Sequence, residues 1–212
     1  MTGQPLQTAP GRATRDAASA KAASTRDRIL AAAAHLLSRL GYAETTLSGI
    51  ARHAGLRPPA IYYYFPSREE LIAEVMETGQ RLLREHVESA LVAAPAGTEP
   101  MDRICVAVAA HLSVELHLSD FATAVTRNAG VLPAEIRERL RDEGRVYLTL
   151  WNDLLQAAYA AGAVRDDLDL PAARMLVIGA LNWTAEWWNP DHGSLADVIR
   201  TAQSLVRHGL GT

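Results

Sequence analysis

Residues 45–71 read TTLSGIARHAGLRPPAIYYYFPSREEL, and the parsing of this run decides the fold. Thr45 and Thr46 can each act as an N-cap, and Leu47, Ile50, Ala51 and Ala54 recur at helical spacing behind them. Gly55 ends that short helix. After Leu56, Arg57-Pro58-Pro59 opens another, because proline is tolerated in a first turn whose amides have no intrahelical partner anyway. Ile61 and Phe65 then stand four apart and face inward, and Pro66 closes the segment. Ser67 with Glu70 makes a capping box that starts a long helix.

Two short helices around a glycine-containing turn have the proportions of a helix-turn-helix. Leu47, Ile50, Ala51, Leu56 and Ile61 would lock the pair at a fixed angle. That leaves Arg57, Pro58, Ala60, Tyr62, Tyr63 and Tyr64 on an outward face suited to the major groove, whose width admits one helix. Tyrosine hydroxyls and helix N-termini are ordinary phosphate ligands, and Arg57 and Tyr63 have the reach for base edges. The alternative for Tyr62 and Tyr64 is a packing role with a wet hydroxyl.

Upstream, Ile29, Leu30, Ala33, Leu36, Leu37 and Leu40 fall on one stripe, which predicts a helix from a Ser24 cap to a stop at Gly41. Residues 1–23 are rich in Ala, Thr, Gly and Pro without hydrophobic periodicity, and read as a flexible arm. Downstream, a helix is predicted over 69–92 with Leu71, Val75, Leu82 and Val87 buried, ending at Ala94-Pro95-Ala96-Gly97. Further helices are predicted near 100–117, 119–128, 133–162, 170–188 and 194–209, with no period-2 strand between them. The fold class is all-α with about nine helices. It divides into an arm (1–23), a three-helix head (24–68) and a helical C-terminal domain (69–212).

Charge separates along the chain. The net charge is −3, yet residues 1–68 carry nine basic and three acidic groups, and the remainder 12 and 21. The first part would attract a polyanion and the rest would repel it. The single Cys105 lies in an apolar run, so neither a disulfide framework nor a cysteine metal site can be built, and a reducing cytoplasm fits. No apolar stretch approaches the ~20 residues of a membrane span, and the N-terminus lacks a secretory h-region. The seven histidines are scattered, no His-Glu-x-x-His pair occurs, and no glycine-rich phosphate loop follows a strand. His111 and His117 are six apart and off a common helix face. Catalysis, a metal and a cofactor are therefore not expected.

The run from Thr45 to Leu56, followed by Ile61 to Leu71, resembles the signature of TetR-type transcription regulators, over roughly residues 25–75. The resemblance implies a repressor that binds a near-palindromic double-stranded operator as a homodimer, and whose C-terminal domain holds a small, largely apolar effector. It implies that Thr46, Ser48, Tyr62, Tyr64 and Arg68 contact phosphates, and that Arg57, Pro58, Ala60 and Tyr63 face bases. The chain departs from the family pattern at Arg68, where lysine is common, and at Tyr64, where histidine is common. It departs again at Pro58-Pro59, which remove amide donors from the reading helix.

By the same resemblance the C-terminal helices enclose a cavity and the last two pair with their twins. Candidate dimer contacts are Leu176, Gly179, Ala180 and Trp187 on one helix, with Leu195, Val198, Ile199, Ala202, Leu205 and Val206 on the next. Effector candidates are polar or aromatic residues in apolar helices: His111, Glu115, His117, Phe121, Arg127, Asn128, Tyr147, Trp151 and Trp183. Three of the four tryptophans fall in residues 181–190, a segment that resembles regulators responding to acyl-coenzyme A thioesters in lipid or steroid breakdown. The same rings could equally pack a dimer interface. The helix at 69–92 is capped beside the head and walls the cavity, so its tilt is the expected link between effector and operator.

Overall fold

A computed structural model, which describes residues 12–212, is helical throughout. The head comprises α1 (Arg12–Glu44), α2 (Leu47–His53) and α3 (Pro58–Ile61). Behind it run α4 (Arg68–Ala93), α5 (Pro100–Ser113), α6 (Asp120–Asn128), α7 (Ala134–Arg139), α8 (Arg141–Ala160), α9 (Leu170–Trp187) and α10 (Leu195–Leu210). A π-turn, Val114–Leu118, joins α5 to α6. Among the described residues there is no strand, only an isolated bridge between Val164 and Gly211.

The predicted start of α1 moves. Helix begins at Arg12, so Ser24 lies inside it and does not cap it, and residues 12–23 of the expected arm are helical. Six of those twelve residues are alanine, the strongest helix former, which needs no apolar stripe to favour a helix. The rest of the expected arm, residues 1–11, lies outside the described residues. The stop at Gly41 holds: its φ of 79° and ψ of 176° break the helical path, and one further turn follows to Glu44. The single helix expected over 133–162 is two, meeting at Leu140 (φ −79°, ψ −10°). That turn lets both Ile136 and Leu140 point into the packing behind the head.

Two hydrophobic cores result. One joins Ile29, Leu37, Ile50, Ile61 and Phe65 to Leu71, Ile72, Val75 and Met76 of α4, and takes in Ala124, Leu132, Ile136 and Leu140. The other gathers Leu83, Val87, Ile104, Val108, Trp151, Leu155, Ile178 and Val206. A buried large aliphatic side chain contributes ~1.5–3 kcal/mol. With four such residues of α4 in the head core, the boundary expected at 68/69 crosses continuous packing, not a linker. On the next stretch of α4 it is Leu83, not Leu82, that is buried. Midway along α4, the α6 backbone comes so near that a Cβ on Gly79 would lie 2.2 Å from the Phe121 carbonyl oxygen.

Candidate nucleic-acid interface and effector cavity

Local chemistry shapes the reading head. The Thr46 hydroxyl caps α2 by accepting from the Gly49 amide at 3.1 Å, and lies 3.3 Å from the Ser48 hydroxyl. Thr45 is buried instead, its hydroxyl donating to the Gly41 carbonyl at 2.7 Å. After the Arg57 N-cap and two prolines, α3 is one turn long, and the Tyr64 and Phe65 amides both close on the Ile61 carbonyl at 2.9 Å. Ile61 and Phe65 are buried, so the turn cannot rotate without emptying the core. Tyr62 and Tyr63 therefore point outward, 59% and 82% exposed. Tyr64 is half-buried against the head core, with the Tyr63 ring meeting it edge-on at 5.0 Å. Thr46, Ser48, Arg57 and Pro58 are exposed and Ala60 half-buried.

Not every head cation faces outward. Arg26 grips Glu74 through both terminal nitrogens with its guanidinium 4.8 Å over Phe65, and Arg28 donates to the Ala54 carbonyl. Arg68, expected on a phosphate, donates through Nε to the Thr45 carbonyl at 2.7 Å and through Nη2 to the Tyr42 carbonyl. Its guanidinium also lies 4.2 Å from the Tyr42 ring centre. The short link after Phe65 sets the start of α4 beneath the α1–α2 corner, and Arg68 ties the two together. Ser67 caps α4 by accepting from the Glu70 amide at 3.0 Å. The return half of the expected capping box is replaced, because the Glu70 carboxylate pairs with Arg139 at 2.8 Å.

In the C-terminal domain four effector candidates converge. His111, Glu115 and Trp151 are fully buried, and Tyr147 joins them with its hydroxyl 2.7 Å from His111 Nδ1. The Trp151 ring centre is 6.4 Å from those of His111 and Tyr147. Burial drives His111 down to about 4, against a smaller opposing pull from the Asn182 amide. Burial likewise lifts Glu115 to about 7, opposed by the Thr126 hydroxyl, and raises the Tyr147 phenol above its ordinary value. Neither Asn182 nor Thr126 comes into hydrogen-bonding geometry, so His111 Nε2, both Glu115 carboxyl oxygens and Trp151 Nε1 have no hydrogen-bond partner. An unmet buried polar group costs ~1–3 kcal/mol, so this concentration marks a place where a polar partner would be welcome.

The remaining effector candidates lie elsewhere. Asn128 is buried at the α1–α6 joint, its amide donating to the Leu37 and Ala124 carbonyls at 3.1 and 2.7 Å. Arg127 donates to the Ser38 carbonyl at 2.7 Å and meets Glu186 at 3.5 Å. Phe121 packs on the head core beside Gly79. His117 is exposed on the π-turn. Trp183 is 65% exposed, on an outward stripe of α9 with Leu176, Gly179, Ala180 and Trp187. Ile178 and Leu181 occupy the inward stripe, so Trp183 joins the candidate dimer face and not the cavity.

On α10 only Leu205, among the dimer candidates, projects freely. Leu195 is half-buried, and Val198, Ile199 and Ala202 pack against the protomer's own core. Val206 is buried in that core, since their shared stripe is the one α10 lays on its own protomer.

Sequence reasoning missed the polar joint around Asp120. Its carboxylate accepts from the Ser38 hydroxyl at 3.0 Å and lies 3.0 Å from His35 Nδ1, while His35 stacks on His53 at 4.6 Å between ring centres. The available signal was His35 and Ser38, polar residues three apart on an apolar helix. Two cavities have room for a small molecule, and only the second adjoins this joint. An open groove of about 520 Å³ runs between α4, α5 and α8, lined largely by Leu91, Val146, Leu150 and Leu154. A more polar pocket of about 240 Å³ lies between α1, the π-turn, α6 and the end of α9. No single helix among the described residues is long and apolar enough to cross a membrane.

The family model for bacterial regulatory proteins of the tetR family matches residues 29–75, and that for the tetracyclin repressor-like C-terminal domain matches residues 97–210, more than half of the chain. The Fatty acid metabolism regulator protein of Bacillus subtilis is 21% identical over 76% of this chain and 81% of its own. The HTH-type transcriptional repressor KstR2 of Mycolicibacterium smegmatis is 25% identical over 79% and 81%. A solved structure of FadR from Bacillus subtilis in complex with stearoyl-CoA superposes with a TM-score of 0.71 at 20% identity, covering 86% of this chain and 98% of that one.

Proposed function

This chain belongs to the TetR family of bacterial transcription regulators, and from that premise we propose that it is a homodimeric repressor released from its operator by an acyl-coenzyme A thioester or a related lipid or steroid intermediate. The observation that carries the DNA reading is the outward projection of Tyr62 and Tyr63 from a turn clamped by buried Ile61 and Phe65. In the major groove Arg57 and Tyr63 meet base edges, while Pro58 and Ala60 offer apolar contact to thymine methyls. Ser48, Tyr62 and the Thr46 hydroxyl, which can donate outward while capping α2, hold phosphates. Tyr64 braces this surface from its half-buried position. Arg68 positions it from behind.

Two heads reach one duplex through the α9 stripe. Gly179 and Ala180 let a second α9 approach closely, and Leu176, Trp183 and Trp187, with Leu205 of α10, supply apolar area. The effector class rests on the named relatives, one a fatty acid regulator and one solved with stearoyl-CoA, and on the unmet polar atoms of His111, Glu115 and Trp151 beside an apolar core. Coupling runs through α6 as well as α4. Asp120, Arg127 and Asn128 fasten α6 to α1, and Gly79 fastens α6 to α4, so an effector that moves α6 moves the head. The action is binding without catalysis, in the cytoplasm where the operator lies.

The experiment is selection of genomic fragments on the purified protein, with Arg57→Ala/Tyr63→Ala as control, followed by octanoyl-CoA release. Enrichment of a near-palindromic fragment by the wild type alone, and its release by the thioester, are expected. Equal enrichment by both proteins would remove the head assignment.

A further inference from the structure

We propose that the pocket between α1, the π-turn and α6 receives the phosphate-bearing end of the effector, and that Arg39 is the side chain that recognises it. The proposal rests on the acyl-thioester reading above and adds where the charge of such a ligand sits.

The pocket, about 240 Å³, is walled by Arg39 from α1, Arg127 from α6 and His117 from the π-turn. The opposing charges are already engaged. Asp120 faces His35 and Ser38, and Glu186 faces Arg127. Arg39 has no ion-pair partner among the described residues and is exposed. Trp188 also lines the pocket, and its indole N–H is buried without an acceptor.

Glu115 closes the inner wall with both carboxyl oxygens unpaired. In its protonated form it is one more donor. Donors thus outnumber free acceptors, and an occupant rich in anionic oxygens satisfies them. Arginine pairs with phosphate in bidentate fashion, with hydrogen bonds about twice as strong as neutral ones.

The volume admits a phosphate and part of its stem but not a whole thioester, so the acyl portion lies outside it, and reaching the fully buried His111 and Trp151 cluster beyond Glu115 requires the helices to part. The occupant touches the strip where Arg127 holds the Ser38 carbonyl and Asp120 holds the Ser38 hydroxyl, the polar seam between head and C-terminal domain. A phosphate that draws Arg127 away loosens that seam.

The test titrates the full-length protein with octanoyl-CoA, octanoate and adenosine 3′,5′-bisphosphate by calorimetry. Arg39→Ala is expected to weaken octanoyl-CoA about ten-fold, equivalent to ~1.4 kcal/mol, and to leave octanoate binding unchanged. The bisphosphate is expected to compete with octanoyl-CoA, and Arg39→Lys, which keeps the charge but not the bidentate fork, to recover only part of the affinity.

Operator affinity of Arg39→Ala without ligand should equal the wild type's; a loss there would make Arg39 a DNA contact and overturn the assignment. Octanoyl-CoA binding that ignores both Arg39→Ala and the bisphosphate would also overturn it, while the effector class stands. If neither octanoyl-CoA nor octanoate binds the wild type, the effector class falls and this inference with it.

Discussion

Replacing Glu115 by glutamine should change how stability depends on pH. Burial holds Glu115 at about 7 against 4.5 in an unfolded chain. As pH climbs through that interval the unfolded chain releases a proton that the folded one retains, so the folded state loses stability. At ~1.4 kcal/mol per pH unit of mismatch, the whole interval is worth about 3 kcal/mol. His111 acts with the opposite sign. Burial holds it at about 4 against 6.5, so the unfolded chain binds a proton that the fold refuses, and stability rises as pH climbs from 4 to 6.5.

The two slopes oppose each other between 4.5 and 6.5, and the contributions of this pair to the wild type nearly cancel there. Glu115→Gln removes one of them. Urea unfolding of both proteins between pH 4.5 and about 7 should show the variant gaining about 3 kcal/mol relative to the wild type. A difference that stays constant with pH would mean Glu115 is not held uncharged in the interior, and the cavity built on it would lose its polar floor.

Gly79→Ala would force a Cβ to 2.2 Å from the Phe121 oxygen and 2.8 Å from its carbonyl carbon, so α4 and α6 must part. Such overpacking costs ~1–3 kcal/mol. Calorimetry should register a fall in Tm of roughly 2–10 °C for a chain of this size, and an unchanged Tm would place the helices further apart. Arg68→Ala should speed amide exchange across residues 42–46 while leaving the salt slope of DNA binding intact; a slope shallower by about one would restore the phosphate contact read from the sequence. Leu176→Glu, at a site 74% exposed in the protomer, should yield monomers by light scattering, and persistent dimers would move the interface off α9.

The head was legible because its determinants are local. The Thr46 and Ser67 caps, the stop at Gly41 and the spacing of Ile61 and Phe65 are all set within a few residues. The contacts of Arg68 with Tyr42 and Thr45 depend on how two helices meet, which no short window of sequence encodes. The same limit governs the C-terminal domain. Glu115 and Asn128 look alike as polar residues in apolar helices, yet one is unpaired in the interior and the other binds two carbonyls at a helix joint.

The stripe Leu195, Val198, Ile199, Ala202 and Val206 fits an interface and a protomer core equally well by period alone. Only the presence of α5 beneath it decides, through Cys105, whose carbonyl accepts from the Gln203 amide at 2.9 Å. Trp183 shows a phase that the sequence does contain, being in step with Leu176, Ala180 and Trp187 and out of step with Ile178 and Leu181. The break at Leu140 carries no glycine or proline to announce it, and the Leu140 side chain there is buried in the head core.

Hydroxyl-radical footprinting of a selected operator tests the central claim, that the turn from Arg57 to Tyr64 is what two protomers present to DNA. The wild type should protect two patches on one face of the duplex about a helical turn of ~34–36 Å apart, or somewhat more, both lost in Arg57→Ala/Tyr63→Ala with its fold intact. Protection that survives those substitutions, or a single patch from a single protomer, would contradict the account.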